Sequence, residues 1–529
     1  MTSPRIERTD VRIEPDASRV LIRPFVPEDE RVVRIVSRIA AQLDAEVDEH
    51  LGKIFRDFDS RHIEVESAFL ERYESVRHLQ ITDREPSHER KLLIGAYFTS
   101  EYSLESAALC NPSVVPHPDQ TGLPEGSLRV VLSLRAVGEG HISSVAFRCG
   151  TIDAAHRIVI EDPPPFVVTP QAVASREFDK RVLAQKIMDM GFANEYTDRV
   201  FSLLPPEFTY QELQEAVAEL LGREPALSLT HAATRKDLFW VASSNYDIRF
   251  DPKVPLGGRA LFPYSPSEKH GIEDARFVRF VEDGAGPPGG GDDEEAGGGW
   301  DQQDLEAAEA AGTRGAPPAP GDPAATRGGD VTYYATATAW DGKNLMPQLI
   351  ATRDFLTFQV RTLNGQAVRN KGMALFPRKI HGKYAMLARL DNENIYLLYS
   401  AQLQFWRKAQ IILRPTYPWE FYQIGNCGSP LETDAGWLVI THGVGAMRRY
   451  AIGAALLDRD DPARVLGRTD EPFLVPIENE REGYVPNVVY SCGALIHRGK
   501  LVLPYAMADY ATRAVLVDLE ELLSSMVRP

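Results

Sequence analysis

The chain has 529 residues and a formal charge of -17, which argues against a nucleic-acid-binding protein, because such proteins need a basic surface. Hydrophobic residues make up 43% and charged residues 25%, as is typical of a globular enzyme. No stretch reaches the roughly 18 apolar residues of a membrane span. The four cysteines form no CxxC pair and no cluster with histidines, so we expect a cytoplasmic protein with no disulfides, metal, membrane partner or nucleic-acid partner.

The N-terminal part of the chain has the spacing of amphipathic helices. In residues 28–58, apolar residues recur every three or four positions, and a second helical segment is predicted at about 62–80. From about residue 107 the pattern changes to short β-rich runs, with strands predicted at 127–137 and 141–149. Helices return between about 175 and 222. There, Thr209 and Glu212 form a capping box at the start of the last helix, and Gly222 is expected to end it.

From residue 236 the chain consists of short apolar runs separated by Gly, Pro and Asp turns, such as VTYYATATAW (331–340) and GWLVITHGV (436–444). This spacing predicts an all-β sandwich, barrel or propeller, and the repeated strand clusters favour a propeller. There is no βαβ alternation, so a parallel sheet is not expected. Residues 281–330 are rich in Gly, Pro, Ala and Asp, and we interpret them as a disordered loop between the two strands of a hairpin.

Five segments place polar residues among aromatic residues and glycines near predicted strand ends. They are CNPSVV (110–115) with the later LSLR, HGIEDARFVRF (270–280), VRNKGMALFPRKIHGKYAMLARLD (368–391), QIGNCGSPLE through GWLVITHGVGAMRRY (423–450), and EREGYVPNVVYSCGALIHRGKLVLPYAMAD (480–509). A carboxylate pair followed by an arginine at the mouth of a strand, as in the second segment, is suited to proton transfer or to a structural ion network.

In sequence and in their order along the chain, these segments resemble the motifs of glycoside hydrolase family 130, a family of mannoside phosphorylases and mannosidases. The resemblance covers about 107–173 and 236–520. It implies an all-β core, residues 107–529, that forms a five-bladed β-propeller with the active site in its central depression. Residues 1–106 are then an N-terminal helical extension and residues 175–222 a helical insertion. We expect these additions to have structural roles or to join copies in a homo-oligomer.

The resemblance also implies inverting cleavage of β-mannosides, with inorganic phosphate as co-substrate and no other cofactor. Inversion needs an acid that protonates the leaving oxygen and a nucleophile on the opposite face of the sugar. When phosphate is the nucleophile, only one protein carboxylate is required. By resemblance that acid is Asp274, which passes its proton through a hydroxyl of the bound mannosyl unit, while Arg276 orients Asp274 or holds the sugar.

Phosphate binding needs cationic, preferably forked donors that are held in place. The family pattern assigns this role to Lys371, Arg389 and His442. The sequence departs from the pattern at Gln423, where the family has lysine, and at Gly372, where phosphorylases often have Asn or Asp. We expect Arg448 or Arg449 to replace the missing charge.

The other polar residues of the motifs fit contacts to sugar hydroxyls, because fixed carboxylates, amides and guanidinium groups discriminate sugar epimers. The predicted sugar ligands are Asn111, Arg135, Arg276, Asn487 and Asp509. Outside the motif context, an asparagine before proline is more often a turn residue. Three aromatic residues are candidates either for stacking on sugar rings or for the core: Tyr264, Trp406 and Tyr484.

Three functions stay open at this point. The first is a β-mannoside phosphorylase that converts a small carbohydrate into α-mannose 1-phosphate. The second is an inverting β-mannosidase, in which water needs a second carboxylate about 6.5–9.5 Å from the acid; the candidates are Glu432 and Glu482. The third is a non-catalytic glycan-binding propeller. The retained cations favour phosphorolysis, whereas Gln423 favours hydrolysis.

Overall fold

The computed structural model of the chain describes residues 4–80, 85–173, 177–282 and 330–528. Within these ranges, no helix is long and apolar enough to cross a membrane. Most of the segment predicted to be disordered, 281–330, lies outside the described residues, so its disorder stays a prediction.

Helices occupy the N-terminal part of the chain, a second stretch between residues 180 and 243, and a short C-terminal segment. Their bounds are α1 Asp29–Ala40, α2 Asp44–Phe58, α3 Val65–Val76, α4 His88–Tyr97, α5 Lys180–Asp189, α6 Glu195–Leu203, α7 Tyr210–Arg223, α8 Pro225–Thr230, α9 Ala232–Ser243 and α10 Leu519–Ser524.

Helices form where the sequence pattern predicts them, but their lengths differ from the predicted ones. The segment 28–58 is two helices, since a new helix starts where Glu46 Oε2 accepts a hydrogen bond from the backbone N–H of Leu43 (2.8 Å). The capping box of α7 is confirmed: the Thr209 hydroxyl accepts from the Glu212 N–H at 3.2 Å. The predicted end at Gly222 is confirmed to within one residue, since α7 ends at Arg223, but α7 is not the last helix of the insertion. Pro225, which suits the first turn of a helix, begins α8, and helices continue to residue 243.

The rest of the described chain is mainly β-structure. The strands are β1 Ile6–Ile13, β2 Val20–Pro24, β3 Thr99–Ser103, β4 Ala108–Pro116, β5 Leu128–Val137, β6 Ser143–Ile152, β7 Ile158–Ile160, β8 Gln171–Ala172, β9 Glu177–Asp179, β10 Glu207–Thr209, β11 Tyr246–Arg249, β12 Ala260–Leu261, β13 Gly271–Val281, β14 Val331–Trp340, β15 Leu345–Thr352, β16 Thr357–Thr362, β17 Lys371–Leu375, β18 Tyr384–Arg389, β19 Ile395–Ser400, β20 Ala409–Leu413, β21 Gln423–Asn426, β22 Leu431–Thr433, β23 Gly436–Val444, β24 Tyr450–Leu457, β25 Val465–Arg468, β26 Val489–Tyr490, β27 Leu495–His497, β28 Lys500–Met507 and β29 Ala511–Asp518.

These strands form antiparallel units that follow one another along the chain. The largest sheet runs β4-β5-β6-β13-β14-β15-β16-β11-β8. It contains the first unit, β4 to β6, and the second unit, which begins at β13; the two are joined by a single parallel bridge between Ser143 and Gly271. The next sheets are β17-β18-β19-β20, then β21-β23-β24-β25, then β26-β28-β29-β1. The predicted hairpin is confirmed, because Val281 at the end of β13 pairs with Val331 at the start of β14.

The last unit joins the two ends of the chain. Strand β1 pairs with β29, so that Ile6 lies opposite Val517. This unit also contacts the first one: the Cys492 N–H donates to the Pro112 carbonyl (2.8 Å). The two ends of the β-structure therefore lie next to each other.

The apolar core lies between consecutive units. Phe147 of the first unit packs on Phe277 of the second, with ring centroids 6.0 Å apart. Phe376, just after β17, packs on Trp437 of the next sheet at 5.1 Å. Leu132 of the first unit and Leu516 of the last belong to one buried cluster. Because the faces of the sheets are used for packing, polar functional groups are left to the strand ends and turns.

Candidate active site

The site is built on irregularities in the first strands of three units. The β4–β5 pairing shifts register between Cys110 and Ser113, and the β13–β14 pairing shifts between Glu273 and Arg276. Inside these bulges, Asn111 and Asp274 have positive φ angles of 50° and 54°. A third shift follows Lys371 in β17. Bulges re-aim side chains, and positive φ is uncommon outside glycine, so both features are typical of functional sites.

Asp274 lies at the centre of the cluster, with 12% of its side chain exposed. Its Oδ1 accepts a hydrogen bond from Asn111 Nδ2 at 2.7 Å and lies 3.9 Å from an Arg135 guanidinium nitrogen. Three predicted residues, from two of the five segments, thus lie close together.

Glu273 forms ion pairs with two of the residues predicted to bind substrate or phosphate; the sequence indicated an ion network here as one alternative but not these partners. Its Oε1 accepts from the Arg135 guanidinium at 2.8 Å, and its Oε2 accepts from Lys371 Nζ. This carboxylate therefore holds Lys371 on the Asp274 side of the cluster. The acid pair in the sequence was the only signal, and the two partners lie far away along the chain.

Arg276 is buried beneath Asp274. One guanidinium nitrogen donates to the Asp274 carbonyl oxygen at 3.2 Å, and the other donates to the Tyr490 hydroxyl at 2.6 Å. Tyr490 in turn lies against the His442 ring, with centroids 4.9 Å apart. Tyr490 was not predicted, although its place in the VPNVVY segment puts it near the motif residues.

Arg389 and His442 form the other side of the cluster. An Arg389 guanidinium nitrogen donates to His442 Nε2 at 3.1 Å. The Gln423 amide nitrogen donates a hydrogen bond to the Asn392 carbonyl at 3.0 Å. In this orientation its Oε1 accepts a hydrogen bond from the Arg389 guanidinium. A glycine is required beside them, because a Cβ on Gly425 would lie 2.4 Å from the His442 ring. Gln423 thus binds Arg389 where a lysine would repel it.

The charges set the protonation states of the cluster. Burial lowers the pKa of His442 well below 6.5, and the positive charge of Arg389 lowers it further, so the ring is neutral. Burial raises the pKa of Asp274, but the neighbouring cations, foremost Arg135 and Arg276, outweigh it and keep that pKa below 3.8. Asp509 behaves in the opposite way: burial and then the charge of Asp274 raise its pKa to about 6.

The other residues predicted to bind sugar or phosphate lie at the edge of the cluster. Asp509 is in the turn between β28 and β29, with a positive φ of 49°. Arg448 and Arg449 are exposed in the turn between β23 and β24, and the charge of Arg448 lowers the pKa of Asp509. In the described part of the chain, Arg449 has no hydrogen bond or ion pair with the cluster. The Asn487 side chain accepts from Arg481 Nε at 2.6 Å instead of contacting Asp274.

The structure separates the remaining candidates. Trp406 is fully buried and donates to the Leu403 carbonyl, so it is a core residue. Tyr264 and Tyr484 are 51% and 65% exposed. Glu432 accepts hydrogen bonds from Arg378 (2.7 Å) and Arg459 (2.8 Å), an ion-pair network on β22, and Glu482 is exposed.

Known proteins are similar to parts of this chain. Residues 321–528 match the family described as beta-1,4-mannooligosaccharide phosphorylase. A 1,2-beta-oligomannan phosphorylase of Thermoanaerobacter sp. (strain X514) is 37% identical over 155 residues, which are 29% of this chain and 52% of that protein. A beta-1,2-mannobiose phosphorylase of Listeria innocua serovar 6a is 32% identical over 213 residues, 39% of this chain and 59% of that protein.

Among solved structures, the beta-1,2-mannobiose phosphorylase of Listeria innocua in complex with beta-1,2-mannobiose aligns with a TM-score of 0.41 and 19% identity, over 79% of this chain and 92% of that one. The matched part of this chain spans only 52% and 59% of the two relatives named above. The motifs and these sequence matches agree in one respect: the C-terminal part of the chain is similar to β-mannoside phosphorylases and to the family model that carries that description.

Proposed function

We propose that this protein is an inverting β-mannoside phosphorylase that uses inorganic phosphate to release α-mannose 1-phosphate. The observation that carries the proposal is the arrangement around Asp274, in which one carboxylate lies among cations on three sides. Asp274 would protonate the leaving oxygen through a mannosyl hydroxyl. Phosphate would attack from the side of Arg389 and His442.

Unsatisfied polar atoms in the cluster support a ligand there. Among the described residues, Arg276 Nε, Arg389 Nε, His442 Nδ1 and Asn111 Oδ1 are buried and have no hydrogen-bond partner. A buried donor or acceptor without a partner costs about 1–3 kcal/mol, so such atoms are usually bound to ligand or water. A sugar hydroxyl and a phosphate oxygen would satisfy both kinds of atom.

Phosphate would also help to protonate Asp274. The neighbouring cations keep the pKa of Asp274 below 3.8, so the carboxyl group is ionised at neutral pH. Lys371 and Arg389 are opposite residues on β17 and β18, so an anion at Arg389 lies near both. The negative charge of bound phosphate offsets these cations and raises the pKa of Asp274. Bound phosphate would therefore favour the protonated form of the acid.

We further propose that the five antiparallel units are the blades of a β-propeller formed by residues 107–529, with β1 completing the last blade. The packing of the last unit on the first supports this arrangement. The helices in residues 1–106 and the insertion, which extends to Ser243, are then additions to the propeller. The names of the relatives support a β-mannoside as the substrate and phosphate as the co-substrate.

Hydrolysis is the alternative, and one observation favours it. Glu432 is held by two arginines and Glu482 is exposed, so neither suits a general base. Asp509, with a pKa of about 6 next to Asp274, does suit one. Water activated by Asp509 would then replace phosphate.

A panel of β-1,2-, β-1,3- and β-1,4-mannobiose, incubated with and without phosphate, separates these functions. Mannose 1-phosphate that forms only with phosphate supports the phosphorylase. Free mannose formed at equal rates in both conditions supports the hydrolase, and no turnover of any substrate contradicts both.

A further inference from the structure

Two loops that adjoin the cluster present an exposed aromatic pair. Tyr484 is 65% exposed and its ring lies 5.6 Å from the ring of His141, which is also exposed. The two planes are inclined by 32°, so His141 packs against the Tyr484 ring, and much of that ring stays exposed. Because both rings are exposed, they do not stabilise the core, and their exposed faces can contact a ligand.

Each residue of the pair lies in a loop that is connected to residues of the Asp274 cluster. His141 lies in the short turn after β5, the strand whose Arg135 binds Glu273. On the other side, the Val485 N–H donates to the Ala508 carbonyl at 2.9 Å. Ala508 directly precedes Asp509, so Tyr484 lies beside the turn that bears this carboxyl group.

The loop that carries Tyr484 is held in place. Arg481 Nε donates to Asn487 Oδ1 at 2.6 Å, and the Tyr450 N–H donates to the Asn487 carbonyl at 3.1 Å. A Cβ on Gly483 would lie 2.7 Å from Ala508, so the backbone is packed closely against the neighbouring turn. A fixed tyrosine offers a large surface at little entropic cost, as in other recognition sites.

We propose that Tyr484 and His141 form the binding platform for the acceptor sugar, the unit that leaves when the mannosyl bond is cleaved. This inference rests on the proposed function, because it takes the mannosyl unit itself to lie deeper, among Asn111, Asp274 and Asp509. The C–H face of a pyranose ring packs on an aromatic ring, while its hydroxyls stay in water or contact the rim. The platform therefore suits a neutral sugar and not a charged acceptor.

The test measures sugar binding by calorimetry and, separately, the reverse reaction from α-mannose 1-phosphate with mannose, glucose or β-mannobiose as acceptor. Tyr484→Ala is expected to weaken acceptor binding and raise the acceptor KM at least about tenfold, equivalent to about 1.4 kcal/mol. The KM for α-mannose 1-phosphate should change much less. Tyr484→Phe keeps the ring and should resemble the wild type.

The chain offers a matched control. Tyr97 at the end of α4 is 43% exposed and forms an edge-to-face pair with His50 at 5.7 Å, in the N-terminal helices. Tyr97→Ala should leave acceptor binding and KM unchanged. Equal acceptor affinity of Tyr484→Ala and the wild type would overturn the platform, whether or not the protein turns over. Sugar binding that is weakened in Tyr484→Ala but without phosphate-dependent turnover would support the platform and overturn the phosphorylase.

Discussion

Replacing Asp509 with asparagine is expected to stabilise the fold and to impair the reaction. Asp509 is partly buried beside Asp274, and burial together with that negative charge raises its pKa from 3.8 to about 6. The folded protein therefore binds this proton more readily than the unfolded chain does. As a result, stability falls as the pH rises from about 4 to about 6, and stays lower above that range.

The size of the effect follows from the pKa. At about 1.4 kcal/mol per pKa unit, the change from 3.8 to about 6 corresponds to about 3 kcal/mol. Part of the side chain is exposed, so solvent screening reduces this to about 1–3 kcal/mol. Asparagine tolerates the positive φ of 49° at this position, so the substitution adds little backbone strain.

Denaturant midpoints of wild type and Asp509→Asn at pH 4 and pH 8 test this reasoning. The variant should be more stable than the wild type at pH 8, and the difference should shrink at pH 4, where the wild-type carboxyl group is protonated. Asp434→Asn, at an exposed aspartate, is the control and should show no such pH dependence. A variant that is less stable at pH 8, or equally shifted at both pH values, would refute the reasoning.

Three further substitutions probe the proposed roles. Asp274→Asn removes the acid and should lower kcat about 10²- to 10⁴-fold in a variant whose circular dichroism spectrum matches that of the wild type; activity above one-tenth of the wild type would exclude Asp274 as the acid. Arg389→Met should raise the KM for phosphate at least about tenfold more than the KM for the mannoside, whereas Arg407→Met, at an exposed arginine, should not; equal effects on both KM values would contradict a phosphate-binding role. Glu432→Gln should leave turnover within about twofold, measured by initial rates, because Glu432 belongs to a separate ion-pair network; a loss of a hundredfold or more would mean that it acts in catalysis.

Much of the β-structure could be predicted because alternation along a strand is a local property. The bounds of β14 and β23 agree with the apolar runs 331–340 and 436–444. Within the last motif, the apolar stretch NVVYSCGALI (487–496) reads like one strand but forms two short ones, β26 and β27, with Ser491 and Cys492 between them.

The motif residues were predicted, but their contacts were not. That Asn111 lies on Asp274 depends on two bulges whose register shifts leave no clear trace in the sequence. Glu273 joins Arg135 and Lys371 from 138 and 98 residues away, so no local pattern reveals the bridge. Gln423 looked like a loss of charge, yet it accepts a hydrogen bond from Arg389. Such pairings follow from how the sheets pack, which a single sequence does not specify.

The most direct test of the central claim is the phosphate dependence of β-mannobiose cleavage, followed by NMR so that the anomeric form of the product is seen. The account predicts α-mannose 1-phosphate only when phosphate is present, and none from Asp274→Asn. Free mannose released at the same rate without phosphate, or product formation that survives in Asp274→Asn, would contradict it.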